Sequence, residues 1–152
     1  MKKIETTRFG QVEVADESLI TFREGIPAFE DEHEFAVMPY DENGTYMFLQ
    51  STKTPELAFL MTNPFFFFPD YTFEIDEASQ AFLGIEDEAA ADIIVCTLIT
   101  VPASGVKDMT TNLLAPVVIN KHKMEAKQVV LEKTQYTTKH RLFPKEKKAV
   151  EC

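Results

Sequence analysis

The sequence predicts a mainly β single domain, an antiparallel barrel or a curled sandwich, with one or two short helices. Three observations carry this expectation. Short β-branched and aromatic runs recur along the chain, most of them bounded by Gly, Pro, Asn or Asp. Only one segment carries both start and stop signals of a helix. No alternating strand and helix rhythm is present, which argues against a doubly wound parallel sheet, and no repeat occurs at solenoid or propeller spacing.

In chain order, strands are expected over Ile4–Phe9, Gln11–Val14, Leu19–Phe22, Phe35–Pro39, Tyr46–Gln50, Leu57–Met61, Tyr71–Ile75, Ile93–Val101, Leu113–Asn120 and Gln128–Gln135. Gly10 breaks the first two, and Asp41-Glu42-Asn43-Gly44 predicts a hairpin turn, because Gly and Asn reach positive φ cheaply. The helix is expected over Asp76–Leu83. Asp76 caps its N-terminus, Glu77 suits the positive end of the dipole, and Gly84 stops it. Ala78, Phe82 and Ile85 are its expected core face, and Glu86–Asp92 is a candidate second helical turn. Pro116, inside an apolar run, implies an edge or a bulge, since proline cannot donate to a ladder.

At 152 residues the chain can hide roughly 70% of its unfolded surface, enough for one core without disulfides. The expected division is a domain over 1–138 and a basic tail over 139–152 carrying Lys139, Arg141, Lys145, Lys147 and Lys148. Cys96 and Cys152 are too few and too badly placed for a secreted disulfide framework. No run approaches the roughly 18 apolar residues of a membrane span, and the polar residues after Met1 cannot form the core of a signal peptide. A cytoplasmic protein with no membrane partner is expected.

Charge narrows the functions further. The net charge is −10, with 20 acidic against 5 basic residues up to Asp92 and 5 against 10 beyond it. Lys and Arg supply most affinity for nucleic-acid backbones, so direct nucleic-acid binding is not expected. A strongly anionic first part suits a basic protein partner. It also favours a soluble chain, expected to be a monomer when free.

Catalytic chemistry is sparse. His33, His122 and His140 are isolated from one another, and no metal-binding, phosphate-cradling or nucleophile-turn motif occurs. Glu30-Asp31-Glu32-His33-Glu34 lacks the ligand spacing and glycine of a calcium loop. Cys96 lies in an apolar run and reads as an inert buried thiol. No catalytic residue, metal or cofactor is therefore expected.

The run Pro64-Phe65-Phe66-Phe67-Phe68-Pro69-Asp70-Tyr71 is the most unusual stretch. In a strand, four consecutive phenylalanines cannot all enter one core. Either the second pair packs under a helix or loop, or it forms an exposed patch. In that case Phe67, Phe68 and Tyr71 would be aromatic anchors, with Asp70, Glu74 and Asp76 as a polar rim for a partner. Asn112 and Asn120 bracket the Pro116 run and would either hold turns or touch a partner.

Several segments together resemble the flagellar assembly factor FliW family. They are Thr7–Gly10, Ile20–Phe22, Gly25–Glu30, Phe48–Ser51, Pro64–Tyr71, Leu83–Ile85, Thr100–Pro102, Thr111–Asn120 and Gln128–Leu131. Ala28 stands where such proteins usually carry glycine. The resemblance implies a small antiparallel β-barrel-like domain, non-enzymatic and cytoplasmic. It further implies a protein that binds newly made flagellin and, when free of it, binds and allosterically antagonises CsrA, the RNA-binding translational regulator that represses flagellin synthesis. The alternatives are a small-ligand-binding β-barrel or an unrecognised enzyme, given the 13 phenylalanines, and RNA binding through the basic C-terminal segment.

Overall fold

The structure, a computed structural model, describes residues 1–40, 45–85, 93–132 and 134–143. Strands β1 (Lys2–Thr6) and β2 (Gly10–Val14) form an antiparallel hairpin with Ile4 opposite Val12. Its turn is held by Thr6, whose Oγ1 accepts from the Phe9 N–H at 2.7 Å and donates to the Gly10 carbonyl at 2.9 Å. Ile4 and Val14 pack on Ala36 of the main sheet, so the hairpin caps one side of it.

The main sheet contains β3 (Leu19–Thr21), β4 (Glu34–Pro39), β5 (Tyr46–Ser51), β6 (Ala58–Thr62), β7 (Ile93–Thr100), β8 (Thr110–Thr111), β9 (Val117–Asn120), β10 (Glu125–Gln128) and β11 (His140–Arg141). Neighbours run β11-β8-β7-β6-β5-β4-β3-β10-β9, and β9 also pairs with β7. That last pairing closes β3, β4, β5, β6, β7, β9 and β10 into a ring, a barrel that removes most of the sheet's open edges. Every pairing is antiparallel except β3 with β10, which meet in parallel at a single position, Thr21 opposite Glu125. The interior is filled by Phe22, Phe35, Leu49, Met61, Cys96, Val117 and Ile119. These side chains make the barrel interior a packed core.

Helix α1 (Glu77–Leu83) starts where the sequence places it. Asp76 Oδ2 accepts from the Ser79 N–H at 3.0 Å, and Gly84 closes the helix at φ 72°. Of its expected core face, Ile85 is buried and Phe82 packs against the core, but Ala78 does not take part. Ser79 and Leu83, one turn apart, are buried and Ala78 is exposed. Leu83, Ile85, Val118 and Val129 form a second core between the helix and the outside of the barrel. At the β3–β4 connection, Ala28 adopts φ 75°, the left-handed region that favours glycine, at the position where the sequence departs from the resemblance.

Two expected strands are corrected. Tyr71–Ile75 is extended but unpaired. Its alternation of buried Tyr71 and Ile75 with exposed Thr72 and Glu74 is real, yet it records packing against the outside of the barrel and no ladder. Gln128–Gln135 is likewise not a strand. The pairing strand lies earlier, at Glu125–Gln128, because a tight turn at Lys121–Met124, with Met124 at φ 53°, returns the chain sooner. That strand was hidden because Ala126 is its one apolar residue. Pro116 falls just before β9. It accepts from the Val129 N–H at 2.9 Å but cannot donate in return, so the regular ladder ends at Val117 opposite Gln128. The expected turn at 41–44 and the candidate helical turn at 86–92 lie outside the described residues.

Candidate protein-binding surface

The four phenylalanines do not form a strand. Asn63 Oδ1 accepts from the Phe65 N–H at 2.9 Å and opens a 3-10 turn over Pro64–Phe66, which splits the run by direction. Phe65 and Phe66 are exposed, at 40% and 58%. Phe67 and Phe68 are half-buried under the C-terminal segment: Phe67 stacks edge-on against Phe143 at 5.9 Å and Phe68 against His140 at 5.9 Å. Tyr71 is buried, donates from its hydroxyl to the Leu113 carbonyl at 2.8 Å, and meets Tyr136 edge-on at 4.8 Å. Burial holds its phenol well above the usual range. Burial instead lowers the pKa of His140, and its Nε2 accepts from the Thr137 N–H at 2.9 Å.

From Phe67 a chain of ring contacts crosses the outside of the barrel. Tyr46 lies 6.2 Å from Phe67, Tyr40 6.3 Å from Tyr46, Phe48 5.5 Å from Tyr40 and Phe9 5.7 Å from Phe48. Tyr40 is 63% exposed and Phe9 41%. The Arg8 guanidinium sits 4.7 Å over the Phe48 ring. Beside them, exposed Val101 and Val106 help to line a shallow groove of about 510 Å³. Large apolar side chains left open on turns around a strand's outer face, with an arginine among them, have the composition of a protein-binding surface.

The other residues singled out in the sequence fall elsewhere. Asp70 is exposed at the end of the phenylalanine turn. Glu74 and Asp76 line a second groove, of about 1020 Å³, between the extended 72–76 segment with the start of α1 on one side and residues 127–132 on the other. The hydrogen bond from Ser79 holds the Asp76 carboxyl below its usual range. Asn112 Oδ1 accepts from the Ala115 N–H at 2.9 Å, and Asn120 is buried with both amide atoms engaged. Phe67, Phe68 and Tyr71 are thus brought together, whereas Glu74, Asp76, Asn112 and Asn120 are separate from them. Cys96 is buried in the barrel, which pushes its thiol up to about 11. Among the described residues no His, Cys, Asp and Glu cluster could hold a metal, and no helix is long and apolar enough to cross a membrane.

Phe9, Tyr40, Val101 and Val106 were missed because they come from four separate turns. One signal was available: Tyr46-Met47-Phe48-Leu49 is apolar on both faces of a strand, which requires cover on the outside of the barrel as well as inside.

The sequence profile of the FliW protein family matches residues 3–142. The chain belongs to the FliW family. It is 51% identical over 142 residues to the flagellar assembly factor FliW of Heliobacterium modesticaldum, covering 93% of this chain and 91% of that one. It is 40% identical over 137 residues to the FliW of Bacillus subtilis, covering 90% and 94%. A crystal structure of the flagellar assembly factor FliW superposes with a TM-score of 0.85 at 36% identity, covering 95% of this chain and 99% of that one. The mainly β barrel with its single helix is therefore the FliW fold.

Proposed function

We propose that this protein is a cytoplasmic, non-enzymatic flagellar assembly factor that binds flagellin and, when free of it, binds and allosterically antagonises CsrA, relieving repression of flagellin synthesis. The observation that carries this reading is the family match, which spans residues 3–142. The physical chemistry agrees with a binding role. The barrel interior is filled, the buried thiol is held protonated, and exposed aromatic and apolar side chains gather on turns at the barrel's surface. A net charge of −10 steers a basic partner toward the surface and opposes capture of RNA. The factor acts as a chaperone in that it shields its client by reversible contact, and it is a monomer when free.

The test is size-exclusion chromatography with light scattering on the purified chain, alone and with either partner. A stable complex with flagellin and another with CsrA, neither needing an added cofactor, is the expected result. Independent elution of the chain from both proteins overturns the reading.

A further inference from the structure

The barrel has one weak seam. On one side β10 pairs with β9 along its whole length, and the pairing continues irregularly as Val129 N–H and Leu131 N–H donate to the Pro116 and Leu114 carbonyls at 2.9 and 2.8 Å. On the other side β10 meets β3 at Glu125 alone. Beyond that point the strand turns an open edge outward. Val130, between the two inward-bonded residues, has its N–H and C=O aimed away from residues 114–116 by the alternation of an extended chain. No hydrogen bond reaches either group among the described residues, and its side chain is 59% exposed. Exposed edges are ordinarily blunted by charge, proline or cover; this one carries a bare valine.

Across the opening lies another extended stretch, whose backbone at Phe73 and Glu74 likewise has no hydrogen bond among the described residues. The groove between the two stretches has a volume of about 1020 Å³. Its rim is anionic: Glu74, Asp76, Glu77 and Glu132 line it, against the ammonium of Lys127. That ammonium is directed to Ser79 Oγ at 3.2 Å and over the Phe82 ring at 5.2 Å.

We propose that this groove binds an extended segment of a partner polypeptide, one that alternates apolar and basic side chains, by adding it as a strand to the open edge at Val130. Backbone hydrogen bonds to Val130 supply the register, the apolar side chains meet the valine, and the basic ones, on the opposite face of the added strand, meet Glu74, with Glu132 adding to the anionic rim. The charge complementarity selects a cationic segment and disfavours a second copy of this chain, whose net charge is −10. The inference rests on the reading of this chain as a protein-binding factor and specifies the chemistry of one contact.

The experiment is hydrogen exchange on the full chain with a blocked octapeptide of alternating lysine and valine, beside a glutamate–valine octapeptide. The Val130 amide should exchange at least tenfold more slowly with the lysine peptide and unchanged with the glutamate peptide. Val130→Pro, which removes the donor, and the double variant Glu74→Lys/Glu132→Lys should each weaken the lysine peptide at least tenfold, while Val130→Thr binds normally. Unaltered exchange at Val130, or equal binding of both peptides, overturns the proposal. Slow exchange in the free chain also overturns it. A concentration-independent effect would make the occupant the chain's own basic tail, and a concentration-dependent one a second copy. Complexes with flagellin or CsrA that leave Val130 unprotected would remove this contact and keep the family reading; absence of those complexes would remove the family reading.

Discussion

Asn120 donates from Nδ2 to the carbonyl oxygen of Leu83 at 2.7 Å, tying the last turn of α1 to the β9–β10 turn. Its Oδ1 accepts from the His122 N–H at 3.0 Å, so one buried side chain closes two turns. Asn120→Ala removes both of these hydrogen bonds from a buried site, and should cost about 1–3 kcal/mol. Urea unfolding measures it. Asn112→Ala, which removes a single bond to the Ala115 N–H on a half-buried turn, should cost less.

Glu32 gives a pH-dependent prediction. Burial raises its pKa, but the hydroxyls of Ser51 and Thr54 donate to its carboxylate at 2.5 Å each, and the net result is a lowered value. A carboxyl depressed in the folded state stabilises above its unfolded pKa, near 4.5, and loses that contribution as pH falls through the folded value. Glu32→Gln should therefore be less stable than the native chain at pH 7 by about 1–3 kcal/mol. The gap should close in acid, which urea midpoints at several pH values would record. A gap independent of pH would contradict this.

His140 works in the same direction by a different route. Burial lowers its pKa from 6.5, and its Nε2 accepts a hydrogen bond that requires the neutral ring. Protonation below that value should loosen the C-terminal segment that covers Phe67 and Phe68. Amide exchange at Leu142, whose N–H bonds the Met109 carbonyl at 3.1 Å, should quicken as pH falls below 6.5 and through the lowered value of the folded chain, after correction for intrinsic rates. His140→Phe should suppress the change.

How far the sequence reached differs between core and site. The helix was legible because Asp76 and Gly84 act locally, and most barrel strands because β-branched runs carry their own pattern. Tyr71–Ile75 misled because alternation reports burial, and a segment can be buried on a barrel's outer wall without pairing. Glu125–Gln128 was invisible because its ladder depends on a turn at Met124 and not on apolar content. The phenylalanine run was noticed, but a single asparagine cap at Asn63 turned its first pair outward, where alternation along a strand could not have placed it. The strip from Phe9 through Tyr40 is a product of tertiary assembly, and its one local trace is the run Tyr46-Met47-Phe48-Leu49, apolar on both faces of its strand.

Gln50 tests the packing under the β1–β2 hairpin. Its buried Nε2 donates toward four carbonyls, those of Ser51, Thr54, Pro55 and Leu57, at 3.0 to 3.4 Å, while Oε1 has no partner. Gln50→Glu would replace the donor with an acceptor facing four acceptors. The loss should exceed about 3 kcal/mol at neutral pH, since the buried charge would be uncompensated. Thermal unfolding would show it.

The aromatic strip makes a separable prediction. Tyr40→Ser, at a position 63% exposed, should change stability by no more than about 0.5 kcal/mol, whereas Phe22→Ala in the filled interior should cost about 3–5 kcal/mol. Only the first should weaken partner binding at unchanged fold, by about tenfold or more. Equal partner affinity for Tyr40→Ser and the native chain would remove the strip from the interface.

The most direct measurement titrates flagellin into a preformed complex of this chain with CsrA, followed by light scattering. Release of CsrA as flagellin binds is the predicted result, the behaviour of one factor shared by two exclusive partners. A stable assembly of all three proteins, or a CsrA complex indifferent to flagellin, would contradict the switch.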